Sequence, residues 1–257
     1  MATTTEPRPA PDAPAPDPSG GAMTLLDHLL ELRGRVTWMA VAVVVGMSIF
    51  FIPKVGFATI EFLLEPAKRN PDFEAQAITP LENLVTYFRV ALMGGVALGM
   101  PMLVYQVMRF ITPALTPRER RWIYPLVIAA TLSFFGGMAF AYWVVLPPAY
   151  AFLFDFGSSF AKPTPTITSY MDLTIRLIGV LGFVFELPIL IMGLARMRVV
   201  HWRKLLGKWR YAIIGAFVVS AIATPTIDPV TQSLVAGPMI VLYVVGIVLA
   251  WIVRPRG

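Results

Sequence analysis

The sequence predicts an all-α polytopic membrane protein with six transmembrane helices. Three observations carry that prediction. The 257-residue chain is 57% hydrophobic and only 14% charged, with a mean hydropathy of +0.70; ordinary soluble domains are about 25% charged. It contains six long apolar runs, and a helix crossing a bilayer needs roughly 20 such residues. The runs are apolar on every face, whereas a membrane β-strand alternates apolar and polar over about 10 residues. A soluble enzyme, a disordered chain, a coiled coil and a β-barrel are therefore excluded. The runs are helices because a backbone in lipid must satisfy its own hydrogen bonds.

Taken in order, residues 1–23 are rich in Pro, Ala, Thr and Asp without apolar periodicity, which predicts a disordered tail. The start lacks the basic-then-apolar pattern of a cleaved signal peptide. In Thr24–Arg35 (TLLDHLLELRGR), Leu25, Leu26, Leu29, Leu30 and Leu32 form one face. Asp27, Glu31 and Arg35 lie four apart on another. This predicts a short amphipathic helix at the membrane surface.

The spans are expected at Val36–Ile52, Val85–Val107, Ile123–Leu146, Tyr170–Leu194, Tyr211–Ala223 and Leu234–Val253. Residues 254–257 form a short tail. Gly56–Leu84 and Pro147–Ser169 carry several prolines and read as stiffened caps. Thr224–Ser233 reads as a tight turn with two prolines. The fifth run rises only about 20–24 Å, against a hydrocarbon core of about 30 Å. Either the bilayer thins there or the following turn lies below the surface.

Charge gives the orientation. Of the 21 Lys and Arg residues, fifteen fall on the side of the termini, four on the other side, and Arg89 and Arg176 within spans. The positive-inside rule then places both termini in the cytoplasm. In so apolar a chain the net charge of +6 reflects these loops rather than nucleic-acid binding.

Glu186, in FELP, is the most unusual residue. It lies about 24 Å of helix rise from Tyr170 and about 12 Å from Leu194. A carboxylate at that depth is expensive. It reads as a docking point for a partner helix, as a proton site, or as a protonated acid bonded to a neighbouring backbone. Asp172 and Arg176 are spaced to pair with each other, and Arg89 is expected to snorkel outward. Glu31 and Arg33 precede the first span, and Glu119 lies among arginines between spans two and three. Carboxylates there are neutralised by their neighbours, or they receive an incoming guanidinium through paired hydrogen bonds that ammonium cannot match. Asp228 and Gln232 are placed to bond backbone freed near the prolines.

The chain has no cysteine and two distant histidines, so a metal centre is not expected. No phosphate-binding loop, HExxH, GxSxG or dinucleotide turn is present. Neither a cofactor nor ATP hydrolysis is expected.

HLLELRGR (28–35), YFRVAL (87–92), YQVMRFITPAL (105–115), RERR (118–121), FFGGMAFAYWVVLPPAYAF (134–152), FELP (185–188) and GAFVVSAIATPTIDPVTQ (215–232) together resemble the TatC family. TatC is the large subunit of the twin-arginine protein translocase. The match covers Thr24 to Ile252 in order. The resemblance implies a cup-shaped six-helix protein with both termini inside, short fifth and sixth helices, and one domain over residues 24–253. It implies a receptor for twin-arginine signal peptides of folded precursors, driven by the proton-motive force in a prokaryotic cytoplasmic membrane. The partners it implies are single-span TatA- and TatB-type subunits, other copies of the chain, and lipid.

By the same resemblance, Glu31, Arg33, Phe110 and Glu119 match the signal-peptide surface. Glu186 matches the intramembrane acid beside which partner helices dock, and Pro66, Asp228 and Gln232 match outer-loop positions needed for function. One departure is Val244, where many relatives carry an acid after the aromatic residue; a partner contact needing that acid is not carried over. Two other classes stand beside this reading. One is a proton-coupled transporter using Glu186, against which stand the single deep acid and the lack of paired broken helices. The other is a passive scaffold.

Overall fold

A computed structural model of the chain describes residues 25–68, 73, 75–111, 120–156, 158, 164–224 and 228–253. The tails 1–23 and 254–257, and Glu119, lie outside the described residues. The first helix, α1, runs from Leu25 to Phe50 without a break. The expected separate surface helix is therefore the first turns of the first span. Pro53 disfavours helix in the residue before it, so the chain turns at Phe51–Ile52 and restarts as α2 (Pro53–Lys68) with proline at its first position. This helix occupies much of what the sequence suggested was a stiffened loop.

The second span is α3 (Pro80–Ile111). The third is α4 (Ile123–Phe140), a π-helical turn at Ala141–Val145, and α5 (Leu146–Asp155). Pro147 and Pro148 have no amide hydrogen for the carbonyls four residues earlier. The ladder widens, and the Leu146 amide donates to Ala141 O. The fourth span is broken into α6 (Ile167–Val184) and α7 (Leu187–Arg196). Pro188 is the cause, since its ring clashes with the carbonyl four residues back. After a six-residue helix α8 (Trp202–Gly207) come α9 (Trp209–Ala223) and α10 (Pro229–Val253). The fifth is short as expected, at 15 residues. The sixth is not short: it has 25 residues.

Among the described residues, five helical segments are long and apolar enough to cross a membrane, and Trp209–Ala223 is a shorter apolar helix. Among the described residues the only β pairing is an isolated parallel bridge between Gln76 and Thr166. It sets the starts of α3 and α6 side by side.

Packing fixes which ends meet. A Cβ on Gly46 of α1 would lie 2.8 Å from Gly95 O of α3, so glycine at both positions permits the close crossing. Gly94 faces Phe50 and Gly99 faces Ala42 and Val43, so the two helices run antiparallel. At the far end of the bundle, α2, the π turn, α5 and α6 share a core of Leu63, Ala67, Val145, Leu146, Tyr170, Met171 and Leu177. Its polar atoms are paired: Tyr142 Oη donates to Phe62 O, Tyr170 Oη to Leu63 O, and Tyr150 Oη to Tyr170 O, at 2.7, 2.9 and 2.9 Å.

Arg89 of α3 pairs with Asp172 of α6. Arg89 does not simply snorkel, because a carboxylate on the neighbouring span offers a nearer partner than water. Arg176 also approaches Asp172, at 3.8 Å.

Candidate functional site

The candidate residues fall at three levels. At one end, α1 places Glu31 and Arg33 fifteen or so residues before Gly46, and α3 places Phe110 the same distance beyond Gly95. An antiparallel crossing at Gly46–Gly95 therefore brings Glu31 and Phe110 to the same height, about 22 Å from the crossing. Glu31 is partly buried and pairs with Arg35 one turn on. Arg33 is exposed, Phe110 half-buried. Glu119, expected on the same surface, lies outside the described residues.

Glu186 marks the middle level. It sits at the break between α6 and α7, immediately before the first residue of α7. The residue is 8% exposed, and its Oε1 has no hydrogen-bond partner. Ser133 of α4 donates to Phe185 O at 2.6 Å, which ties α4 to the same break. A Cβ on Gly137 would meet Leu181 O at 2.6 Å, so α4 approaches α6 closely just there. The break that Pro188 makes thus leaves a carboxyl oxygen without a partner deep in an apolar bundle, where one more donor would be well received.

The opposite end holds the other three. Ile191 and Pro188 of α7 touch Gly246, and Arg196 donates to Val253 O at 3.3 Å. The helices α7 and α10 are therefore parallel, and α10 begins at the end where α6 begins. Asp228 Oδ1 accepts from the Thr231 amide at 2.6 Å, capping α10. Gln232 lies inside the first turn of α10 rather than in an open turn, because Pro229 is preorganised as a first helical residue. Its Nε2 donates to Phe217 O at 3.0 Å, and its own carbonyl accepts from Ser220 Oγ at 2.6 Å. Pro66 is buried in α2 rather than in a loop. It lines a cleft of about 440 Å³ with Ala67, Pro147, Pro148, Tyr150, Ala151 and Phe154.

The structure brings Glu31 and Phe110 to one end and Gln232 onto α9. Asp228 stays beside Gln232, whose amide donates to Asp228 O at 3.2 Å, whereas Pro66 and Glu186 are each held in a separate setting. The sequence reading missed the Arg89–Asp172 pair and the Tyr142–Phe62 bond. Pro66 was the available signal for the second, since a proline in a helix announces an unserved carbonyl four residues earlier.

Among the described residues no group of three or more His, Cys, Asp or Glu could hold a metal. The arrangement offers hydrogen bonds and charge.

Comparison with known proteins agrees along most of the chain. The family model for the Sec-independent protein translocase protein TatC matches residues 27–238. The chain is 36% identical over 241 residues to the Sec-independent protein translocase protein TatC of Koribacter versatilis, covering 91% of this chain and 87% of that one. It is 35% identical over 246 residues to TatC of Deinococcus radiodurans, covering 94% and 90%. It is 35% identical over 240 residues to the chloroplastic TATC of Arabidopsis thaliana, covering 93% and 69%. A crystal structure of a twin arginine translocase receptor, TatC, superposes with a TM-score of 0.79 at 33% identity, covering 88% of this chain and 99% of that one. These relatives are translocase subunits rather than enzymes. The chain, a multi-pass membrane protein, belongs to the TatC family of Sec-independent protein translocase subunits.

Proposed function

We propose that this chain is the twin-arginine signal-peptide receptor of a translocase that exports folded proteins, driven by the proton-motive force. The precursor's two arginines dock on Glu31 and Glu119, with Arg33 and Phe110 completing the surface. Glu186 receives a polar residue of a TatA- or TatB-type partner helix, which otherwise has no good site in lipid. Pro66, Asp228 and Gln232 hold the opposite end in the shape the assembly needs. The chain lies in the cytoplasmic membrane of a prokaryote. Residues 24–253 form one membrane domain, and the tails 1–23 and 254–257 are cytoplasmic. Other copies of the chain complete the complex.

The observation that carries this reading is the antiparallel register of α1 and α3, which sets Glu31 level with Phe110. A second support is the distribution of charge. Arg33, Arg109, Arg120, Arg196 and Lys204 belong to that end, whereas Lys54 and Lys68 belong to the other, as the positive-inside rule requires of a cytoplasmic face.

The test is binding of a labelled signal peptide to the chain in lipid vesicles, with Arg-Arg or Lys-Lys in the peptide. Loss of a charged two-point contact costs about 1.5–3 kcal/mol, roughly 10- to 150-fold in affinity. Preference for Arg-Arg, abolished by Glu31→Ala or Glu119→Ala, supports the receptor. Equal binding of both peptides, unchanged in both variants, rejects it.

A further inference from the structure

The segment joining α7 to α9 is unlike the rest of the chain. Between Leu187 and Ile227 it carries Arg196, Arg198, Arg203, Lys204, Lys208 and Arg210 and not one acid. Elsewhere at this end cations have a carboxylate close in sequence: Glu31 pairs with Arg35, and Glu119 lies among Arg118, Arg120 and Arg121. Arg196 is engaged with Val253 O. The other five are exposed, and none makes an ion pair among the described residues. So many like charges on one short segment repel one another. Helix capping does not account for them. Lys208 and Arg210 flank the first residue of α9, the end of a helix where cations are disfavoured.

Apolar groups are interleaved with these cations. The Arg203 guanidinium lies 5.3 Å over the Trp202 ring and that of Arg210 5.6 Å over Trp209. Leu206, Trp209 and Tyr211 are exposed. The segment is also fixed in place, since Tyr243 Oη of α10 donates to Leu205 O at 2.8 Å. That contact lies ten residues before α10 ends, so α8 packs against the flank of α10 rather than beyond its tip. A soluble acidic partner would satisfy the cations but leave Leu206, Trp209 and Tyr211 in water. A phospholipid satisfies both, because its phosphate takes the cations while rings and aliphatic groups sit at headgroup and acyl level.

We propose that the α7–α9 segment is a binding site for an anionic phospholipid. Arg203 and Arg210 hold phosphate oxygens through paired hydrogen bonds, and Lys204 and Lys208 act as point charges. Acyl chains lie along Leu206, Trp209 and the side of α9. Bound lipid pins the start of the 15-residue α9 at headgroup depth, which leaves the other end of that helix within the hydrocarbon.

The test uses the full chain, purified in a neutral detergent and titrated with lipid under native mass spectrometry. The arms are phosphatidylglycerol, diphosphatidylglycerol and phosphatidylcholine, with inorganic phosphate and a polyglutamate peptide as competitors. Both anionic lipids are expected to bind at least about tenfold more tightly than phosphatidylcholine. R203Q/K204Q/R210Q loses that preference, whereas R203K/R210K, which keeps the charge, retains most of it. R109Q/R120Q/R121Q, basic at the same end but on other elements, keeps the wild-type affinity. Unchanged binding by R203Q/K204Q/R210Q overturns the proposal, and so does an equal loss in R109Q/R120Q/R121Q. Displacement of lipid by phosphate would make it a free-anion site. Displacement by polyglutamate would make it a protein-docking site, and either result overturns the lipid assignment.

Discussion

The Tyr142 hydroxyl donates to the carbonyl oxygen of Phe62 at 2.7 Å, and Phe62 lies four residues before Pro66. The helical donor to that carbonyl would come from residue 66, where proline has none. The two rings also stack, with centroids 4.4 Å apart. Tyr142→Phe keeps the ring and removes the donor, at a cost of about 1–2 kcal/mol. Pro66→Ala supplies its own amide, so the same Tyr142→Phe change in that background should cost little. Thermal unfolding of the four proteins in one detergent gives the coupling. An identical cost in both backgrounds would break the link drawn between proline and tyrosine.

Asp172 has two cationic neighbours, and they should differ. Arg89 reaches it across helices, whereas Arg176 approaches only to 3.8 Å. Both arginines are well exposed, so neither pair is worth much: about 0.5–1 kcal/mol for Arg89 and less for Arg176. Double-mutant cycles of R89Q and R176Q, each against D172N, should rank the couplings in that order and shrink both in high salt.

Glu186 should separate folding from assembly. Its Oε1 is buried without a partner, so Glu186→Leu is expected to leave the isolated chain as stable as before or raise its Tm. The same variant should fail to co-purify with single-span partners, and Glu186→Gln should keep a substantial share of them. Normal co-purification by the leucine variant would remove Glu186 from the docking site.

Arg35 competes for the carboxylate that the proposed function gives to the precursor. The pair lies one turn apart on α1. Neutralising Arg35 as Arg35→Gln should therefore tighten binding of an Arg-Arg peptide, by roughly two- to fivefold for one partly exposed ion pair. The Lys-Lys peptide should gain less. Weaker Arg-Arg binding would mean that Arg35 orients Glu31 rather than occupying it.

The spans were legible because lipid imposes a simple demand, and runs such as Pro229–Val253 meet it in composition alone. Their ends were less so. The helix α2 hides in a segment broken by Pro66, and tyrosines from the distant π turn and α6 serve two of its carbonyls. The i,i+4 rule pointed Asp172 to Arg176, but the closer partner is 83 residues away. At the candidate site the Glu31–Arg35 pair followed from spacing. The depth of Glu186 followed from its place in an apolar run. The break beside it was also available in the sequence, since Pro188 lacks the amide that a continuous helix would need.

The crossing of α1 at Gly46 has a mechanical consequence. Only 6% of the apolar stretch of α1 is buried, against 50% for α3, so α1 is fastened along one narrow seam. If α1 tilted about the Gly46 crossing, Glu31 would stand at the end of an arm of about 22 Å. A tilt of about 5° there swings the carboxylate by about 2 Å, which is enough to open or close a two-point contact with a guanidinium. A ligand seated at Glu31, as the proposed function has it, would thus have leverage on the membrane-embedded half of α1. Paired spin labels on α1 and α3 would read that swing directly, in a chain with no native cysteine to remove first.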